Sequence, residues 1–185
     1  MTAFDAQRLH AALSAIDEAN RADPTTVTVG DRTGPKEIVH AELVTAWVRR
    51  LVPDTPEALV LAARGHHLRR WTVPRATYAA GRAGYLRWRK DLHDQHAREL
   101  GEILTRAGYD DAMAARVQAL VRKDGVGRAG AGADADAQAL EDALCLVFLE
   151  TQLPDVAIRL EPGTLAGVLS KTARKMSAVG RAHIS

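Results

Sequence analysis

Four histidines lie on or beside the apolar faces of predicted helices, and one aspartate begins the most apolar helix. The histidines are His40, His66, His67 and His96, and the aspartate is Asp142. Imidazoles on facing helices together with a buried carboxylate are what a divalent metal site in a helical bundle requires. These five residues are therefore predicted metal ligands, and Asp142 is also a candidate catalytic residue. The alternative for each histidine is a core or helix-capping role.

A second chemical feature is a segment without acids. Residues 58–90 contain no Asp or Glu but eight basic residues, namely Arg64, Arg69, Arg70, Arg75, Arg82, Arg87, Arg89 and Lys90. Arginine suits bidentate binding of phosphate, and the neighbouring Trp71 and Trp88 suit stacking on a ring. The segment predicts an anion-binding surface formed by Arg69, Arg70, Arg75, Arg87 and Arg89. The alternative is that these arginines pair with acids elsewhere in the fold. The basic residues of the tail, Lys171, Arg174, Lys175 and Arg181, are predicted to form a solvated face.

The elements that position these residues are predicted to be helices. Apolar side chains recur at helical spacing through most of the chain. The spacing, with cap signals, predicts helices over residues 4–20, 35–51, 56–71, 84–107, 110–123, 136–150 and 164–177. Thr25–Val29 is a candidate extended piece, but no stretch alternates for long enough to predict a sheet. We therefore expect an all-α fold of about six or seven helices. The helix over 136–150 is apolar on every face, which predicts a buried, central position.

The composition indicates a globular protein and excludes several other classes. The chain has 185 residues, of which 46% are hydrophobic and 26% charged, and its net charge is +2. These values are ordinary for a soluble globular protein, and no apolar run approaches the ~20 residues of a membrane span. The single cysteine, Cys145, excludes a disulfide framework and a cysteine-based zinc cluster. Residues 1–10 lack the layout of a signal peptide. A cytoplasmic protein without a membrane partner is expected.

Residues 125–130 read GVGRAG, which matches the GxGxxG pattern of dinucleotide-binding loops. That mechanism needs a strand before the glycines and a helix that starts within them. Here a predicted helix precedes the glycines and a small-residue coil follows. We therefore expect a flexible loop, and neither a nicotinamide nor a flavin cofactor.

The order of the histidines and acids resembles the HD superfamily of metal-dependent phosphohydrolases. The similar stretches are residues 61–68 (LAARGHHL), 96–104 (HARELGEIL) and 138–144 (QALEDAL). That family carries a His, then a His-Asp pair, further His or basic positions and a final Asp. They correspond here to His40, His66-His67, His96 and Lys123, and Asp142. The resemblance implies a single compact all-α domain over 1–185, with an HD-like core at about 36–150 on which helices 4–20 and 164–177 pack.

The resemblance also implies an activity, the hydrolysis of a nucleotide or another small phosphate ester. A bound metal would activate a water molecule, and Lys123 would act as a second catalytic residue by neutralising developing charge. His67 stands where the family has Asp. A neutral imidazole suits Mn²⁺, Fe²⁺ or Zn²⁺ better than it suits Mg²⁺, so one of these transition metals is the expected cofactor. An iron-dependent oxygenase on the same scaffold is a further alternative.

Most of the chain also resembles the domain-of-unknown-function family DUF4202. The phrases that carry this resemblance are residues 67–71 (HLRRW), Pro74-Arg75, residues 84–89 (GYLRWR) and residues 140–150 (LEDALCLVFLE). This second resemblance implies no particular activity. Because His67 replaces the Asp of the pair, the alternative to the hydrolase is a non-catalytic HD-like module. It would bind an anionic partner, either a small phosphate-containing ligand or nucleic acid.

Overall fold

Helices dominate the computed structural model, which describes residues 3–127 and 133–184. In chain order they are α1 (Ala3–Asn20), α2 (Lys36–Leu51), α3 (Glu57–Gly65), α4 (Gly81–Arg106), α5 (Asp111–Arg122), α6 (Ala135–Thr151), α7 (Leu153–Arg159), α8 (Pro162–Lys175) and α9 (Ala178–Arg181). The predicted all-α fold is confirmed. Within the described ranges, none of the helices is long and apolar enough to cross a membrane. Part of the GxGxxG match, residues 128–130, lies outside those ranges.

Helix α6 is the centre of the core. It packs against α2, α3 and α5 and also contacts α7, α8 and α9. Its buried residues include Leu140, Ala143, Leu146 and Val147. An apolar sequence on every face predicts this central position, and the prediction is confirmed. The functional residues described below are therefore placed relative to α6.

A two-stranded hairpin precedes α2. Its strands are β1 (Thr26–Val29) and β2 (Arg32–Pro35), paired antiparallel with Thr28 opposite Thr33. The prediction of an extended piece near Thr25–Val29 is confirmed, but the prediction that no sheet forms is wrong. A hairpin of two four-residue strands needs no long alternation, because a tight turn holds the strands together. Gly30 in this turn has a φ of +61°, which suits glycine.

Helix α3 ends at Gly65 and not near Trp71 as the spacing predicts. A Cβ on Gly65 would lie 2.6 Å from Cδ2 of Leu100, so α3 and α4 approach closely at this glycine. The chain then turns: the N–H of Leu68 donates to the Gly65 carbonyl, and Arg69 adopts a left-handed conformation with a φ of +49°. Asn20 holds the turn, because its Oδ1 accepts the N–H of Arg69 at 2.9 Å. His66 and His67 therefore lie in a turn between two helices.

The junction of α4 and α5 follows the sequence prediction closely. Gly108 has a φ of +88°, as expected for a glycine that ends a helix. Asp110 caps α5, and its carboxylate accepts the N–H of Met113 at 2.8 Å. Helix α4 nevertheless begins at Gly81 and not near Gly84.

The C-terminal part contains three helices where the spacing predicts one over 164–177. Helices α7 and α9 are short, so neither provides enough helical periods to stand out in the sequence. Helix α8 begins two residues earlier than predicted, with Pro162 in its first turn. It contacts α6 and α7, and none of its residues is buried. Helix α8 therefore covers α6 without becoming part of the core.

Candidate functional site

A cleft of about 680 Å³ lies where the turn after α3 meets helices α4, α5, α6 and α8. Its floor is apolar and is contributed by Leu92, Leu120, Leu140, Leu144, Cys145 and Phe148. Burial raises the pKa of the Cys145 thiol to about 11, so this side chain is a neutral part of the floor. A concave site of this size suits a small ligand.

Basic side chains surround this floor. They are Arg70, Arg89, Lys123, Lys171, Arg174 and Lys175. Among the described residues that line the cleft, Glu141 is the one acid. Within the described ranges, four of the cations have no carboxylate partner, and these are Arg70, Arg89, Lys171 and Arg174. The cleft lining therefore carries an excess of positive charge, which Glu37 and Glu141 offset only in part, by longer-range attraction to Arg70 and Arg89.

Glu141 bridges the two lysines that are paired. Its carboxylate accepts a hydrogen bond from Nζ of Lys123 and lies 3.7 Å from Nζ of Lys175. Burial alone would raise the pKa of Glu141, but the two ammonium groups hold it below its ordinary value. Glu141 is therefore ionised at neutral pH, and it fixes one cation from α5 and one from α8 at the same point of the cleft.

The backbone of Lys123 is unusual for a residue that is not glycine. It ends α5 in the left-handed conformation, with a φ of +66°. This conformation costs roughly 1–2 kcal/mol for a side chain with a Cβ. The N–H of Lys123 bonds to the carbonyls of Ala119 and Leu120, so the turn is closed while the ammonium reaches Glu141.

The turn after α3 brings three imidazoles together. The ring centroids of His66 and His67 are 4.1 Å apart, and those of His67 and His96 are 5.9 Å apart. In each ring Nδ1 donates to an oxygen: His66 to Ala63 O at 2.8 Å, His67 to Glu37 Oε2 at 3.2 Å, and His96 to Leu68 O at 2.7 Å. A neutral imidazole with its proton on Nδ1 keeps Nε2 as an acceptor.

These rings are neutral at physiological pH. Burial lowers the pKa of His96 to about 4 and lowers the pKa of His66 well below the ordinary value. The pKa of His67 is also lowered well below the ordinary value, by burial and by the nearby charge of Arg70. His93, which also lines the cleft, has its pKa lowered to about 4 by burial and by nearby Lys123. His66, His67 and His93 thus line the cleft as neutral rings, and the lysines and arginines supply its positive charge. His96 does not line the cleft, and its Nε2 is buried without a hydrogen-bond partner in the described ranges.

Arg70 contacts both His67 and Trp88. Its Nη1 donates to Nε2 of His67 at 3.4 Å, and its guanidinium carbon lies 5.1 Å from the ring centroid of Trp88. Trp88 is itself fixed, since its indole N–H donates to the carbonyl of Val73 at 2.9 Å. A guanidinium stacked on an aromatic face keeps its outer N–H groups for a ligand.

The predicted metal ligands do not all meet. Within the ranges that the structure describes, no group of three or more His, Cys, Asp or Glu side chains is arranged to hold a metal ion. Asp142 faces the tail: its carboxylate accepts hydrogen bonds from Ser177 N at 2.8 Å, from Ser177 Oγ at 2.5 Å and from Gln138 Nε2 at 3.0 Å. His40 is buried on α2, where burial lowers its pKa.

The predicted anion-binding arginines divide into two groups. Arg70 and Arg89 line the cleft. Arg69 pairs with Glu99 at 3.4 Å, and Arg75 donates to the backbone carbonyls of Tyr78, Ala79 and Gly81. Arg87 is exposed on α4 outside the cleft lining. Arg64 and Lys90, from the same acid-free segment, pair with acids. The alternative of pairing with acids is therefore confirmed for these two residues and for Arg69, whereas anion binding by Arg70 and Arg89 stays a prediction.

Sequence reasoning did not assign three of the six basic side chains of the cleft to a site. Lys171, Arg174 and Lys175, which the sequence predicts on a solvated face, line it from α8. Of the two adjacent acids near the start of α6, Asp142 is the predicted site residue, whereas Glu141 is the one that lines the cleft. A helix turns about 100° per residue, so the two carboxylates face different partners. Glu37, which orients His67, carried no signal in the sequence beyond its place in the first turn of α2.

The comparisons with known proteins identify a family without assigning an activity. No curated protein matches the chain, and no solved structure does. A family model with the description "Domain of unknown function" matches residues 10–185, which is nearly the entire sequence. The chain therefore belongs to the family DUF4202.

Proposed function

We propose that this protein binds a small phosphate-bearing anion in the cleft between α4, α6 and α8. The observation that carries the proposal is the set of four cations without a carboxylate partner among the described residues: Arg70, Arg89, Lys171 and Arg174. Like charges held close together repel each other, and an anionic ligand removes that repulsion. The set comes from three segments, the turn after α3, helix α4 and helix α8, and the last is far from the other two in sequence, so the fold itself brings the set together.

The shape of the charged region favours a small ligand over nucleic acid. The cations line a concave cleft of about 680 Å³ with an apolar floor. A nucleic-acid backbone is instead bound by cations along an extended surface or groove that follows successive phosphates. Arg75 does not extend the charged region into such a path, because its guanidinium donates to the backbone carbonyls of Tyr78, Ala79 and Gly81.

Metal-dependent hydrolysis on an HD-like scaffold remains a prediction of the sequence. The Nε2 atoms of His66, His67 and His96 are the type of donor that a transition metal takes. The described side chains, however, do not gather three or more ligands around one point, and Asp142 is engaged by Ser177. These residues do not fit a metal centre in this arrangement, so the proposal includes no hydrolytic step.

Binding of inorganic pyrophosphate, followed by isothermal titration calorimetry in about 0.15 M salt, where charges more than about 8 Å apart are largely screened, tests the proposal. Arg89→Gln removes a cation from the cleft, and Arg87→Gln removes the same charge from the exposed side of α4. We expect Arg89→Gln to weaken pyrophosphate binding roughly tenfold, since a charge-assisted hydrogen bond contributes about 1.5 kcal/mol or more.

The matched variant separates a specific site from net charge. Arg87→Gln should leave the dissociation constant within about twofold of the wild-type value, because exposed charges at a distance are screened by salt. Equal losses in the two variants, or the absence of pyrophosphate binding to the wild type, would contradict the proposal.

A further inference from the structure

The cleft has a charged end and an apolar end, and from this gradient we infer that its ligand is a nucleoside polyphosphate. The phosphates would lie at the Lys123–Glu141–Lys175 end and the base at the Phe148–Gln152 end. This inference rests on the proposed function and adds to it the chemical class and the orientation of the ligand.

The change from charged to apolar cleft-lining residues runs along helix α6. Its first cleft-lining turn carries Glu141 with the paired ammonium groups, the next turns carry Leu144 and Phe148, and Gln152 ends the series. From Glu141 to Gln152 the helix rises roughly 16 Å at 1.5 Å per residue. The charged group and the far end of the floor are therefore well separated, which leaves space for a ligand with two chemically different ends.

Helix α8 repeats the same gradient. It follows α7 and runs back along α6, so that Lys175 at its C-terminal end lies 3.7 Å from Glu141. Lys171 and Arg174 lie within one turn of Lys175, whereas Val168 lines the cleft two turns earlier. The basic part of α8 thus faces the charged part of α6. Two independent segments of the chain give the cleft the same polarity.

The number of cations indicates more than one phosphate. A phosphate monoester carries about two negative charges at neutral pH. That is fewer than the four cations that lack a carboxylate partner in the described ranges, even before Lys123 and Lys175 are considered. A diphosphate or triphosphate compensates this charge better, because its phosphates can contact cations from both α4 and α8.

The apolar end is suited to a planar ring with polar edges. Phe148 supplies an aromatic face, and the half-buried side-chain amide of Gln152 makes no hydrogen bond to another residue in the described ranges. A hydrocarbon chain would leave this amide unpaired, which costs free energy, whereas the edge of a base offers both a donor and an acceptor. A nucleobase therefore matches this end better than an isoprenoid chain does.

Three diphosphates that differ in the attached group test the inference. The dissociation constants of pyrophosphate, ADP and geranyl diphosphate are measured on the full chain by isothermal titration calorimetry. We expect ADP to bind about tenfold more tightly than pyrophosphate, since stacking of one base contributes ~1–3 kcal/mol. Geranyl diphosphate should bind more weakly than ADP.

Two variants locate the base. Gln152→Ala and Phe148→Leu should each weaken ADP binding about three- to tenfold and leave pyrophosphate binding unchanged, which also shows that the variants are folded. Gln7→Ala removes an exposed amide on α1 and should change neither the ADP nor the pyrophosphate dissociation constant. The inference is overturned if ADP binds no more tightly than pyrophosphate, or if geranyl diphosphate binds more tightly than ADP. Failure of all three ligands to bind overturns the proposed function as well.

Discussion

Nδ1 of His67 donates a hydrogen bond to Oε2 of the buried Glu37, 3.2 Å away. This contact sets the tautomer of His67, because the carboxylate can only accept, and it leaves Nε2 to accept from Arg70. Glu37 is in turn held by the hairpin region, since its backbone N–H donates to Oδ2 of Asp23 at 3.0 Å. Asp23, in the connection between α1 and β1, thus helps to position a side chain of the cleft.

The tautomers of the three clustered histidines can be measured directly. At pH 7 we expect His66, His67 and His96 each to be neutral with the proton on Nδ1, because an oxygen accepts from each Nδ1. Long-range proton–nitrogen NMR spectra of the imidazole groups distinguish the two neutral tautomers from imidazolium. A proton on Nε2 of His67, or a charged ring at pH 7, would contradict the described hydrogen bonds.

The lowered histidine pKa values predict a stability that depends on pH. In the unfolded chain a histidine titrates near 6.5, whereas in the folded protein the pKa of His96 is about 4. Between these values the unfolded state binds more protons, so the free energy of unfolding falls as pH decreases from about 6.5 to about 4. For the fully buried His96 the contribution is roughly 3 kcal/mol.

A variant of His96 isolates this contribution. The side-chain amide of Asn in His96→Asn can still donate to the Leu68 carbonyl but does not titrate. Urea unfolding followed at pH 7 and at pH 4.5 should therefore show a smaller loss of stability for His96→Asn than for the wild type. Equal losses in the two proteins would show that His96 does not have the lowered pKa.

Asp142 is expected to stabilise the tail without affecting the ligand. Its carboxylate accepts both the N–H and the hydroxyl of Ser177, and hydrogen bonds to a charged group contribute about 1.5–3 kcal/mol each. Asp142→Ala should lower the free energy of unfolding by roughly 2–4 kcal/mol, and the pyrophosphate dissociation constant should stay within about twofold. A selective loss of ligand or metal binding, with unchanged stability, would restore Asp142 as a functional residue.

Glu141 is expected to limit the affinity of the cleft for anions. It neutralises part of the charge of Lys123 and Lys175, so Glu141→Gln should strengthen pyrophosphate binding by about three- to tenfold. Glu102→Gln on the exposed side of α4 removes the same charge and serves as the control. Calorimetric titration of both variants provides the comparison, and weaker binding by Glu141→Gln would mean that the carboxylate itself positions the ligand.

Periodicity predicted the elements well where they were long and regular. Gly108 and Asp110 were identified from local chemistry alone, because a helix-ending glycine and a capping aspartate act within a few residues. The end of α3 at Gly65 was not predictable in this way. The turn that follows Gly65 is held by Asn20, which accepts the N–H of Arg69 from forty-nine positions earlier in the chain.

The residues of the cleft were likewise predictable only where they lie close together in the sequence. The acid-free segment predicted Arg70 and Arg89 as anion-binding residues, and both line the cleft. Lys171 and Arg174 lie about eighty positions later, and nothing in the sequence states that α8 returns to α4. Clustering of basic residues along the chain therefore predicts only part of a basic site, because the rest comes from residues that are near in space and distant in sequence.

The central claim is the location of the anion, and a crystal structure of the protein with bound pyrophosphate measures it most directly. We expect the pyrophosphate within hydrogen-bond distance of Arg89 and of at least one basic side chain of α8, at the end of the cleft marked by Glu141. A pyrophosphate bound instead at the exposed Arg82 or Arg87, with the cleft occupied by solvent, would contradict the account.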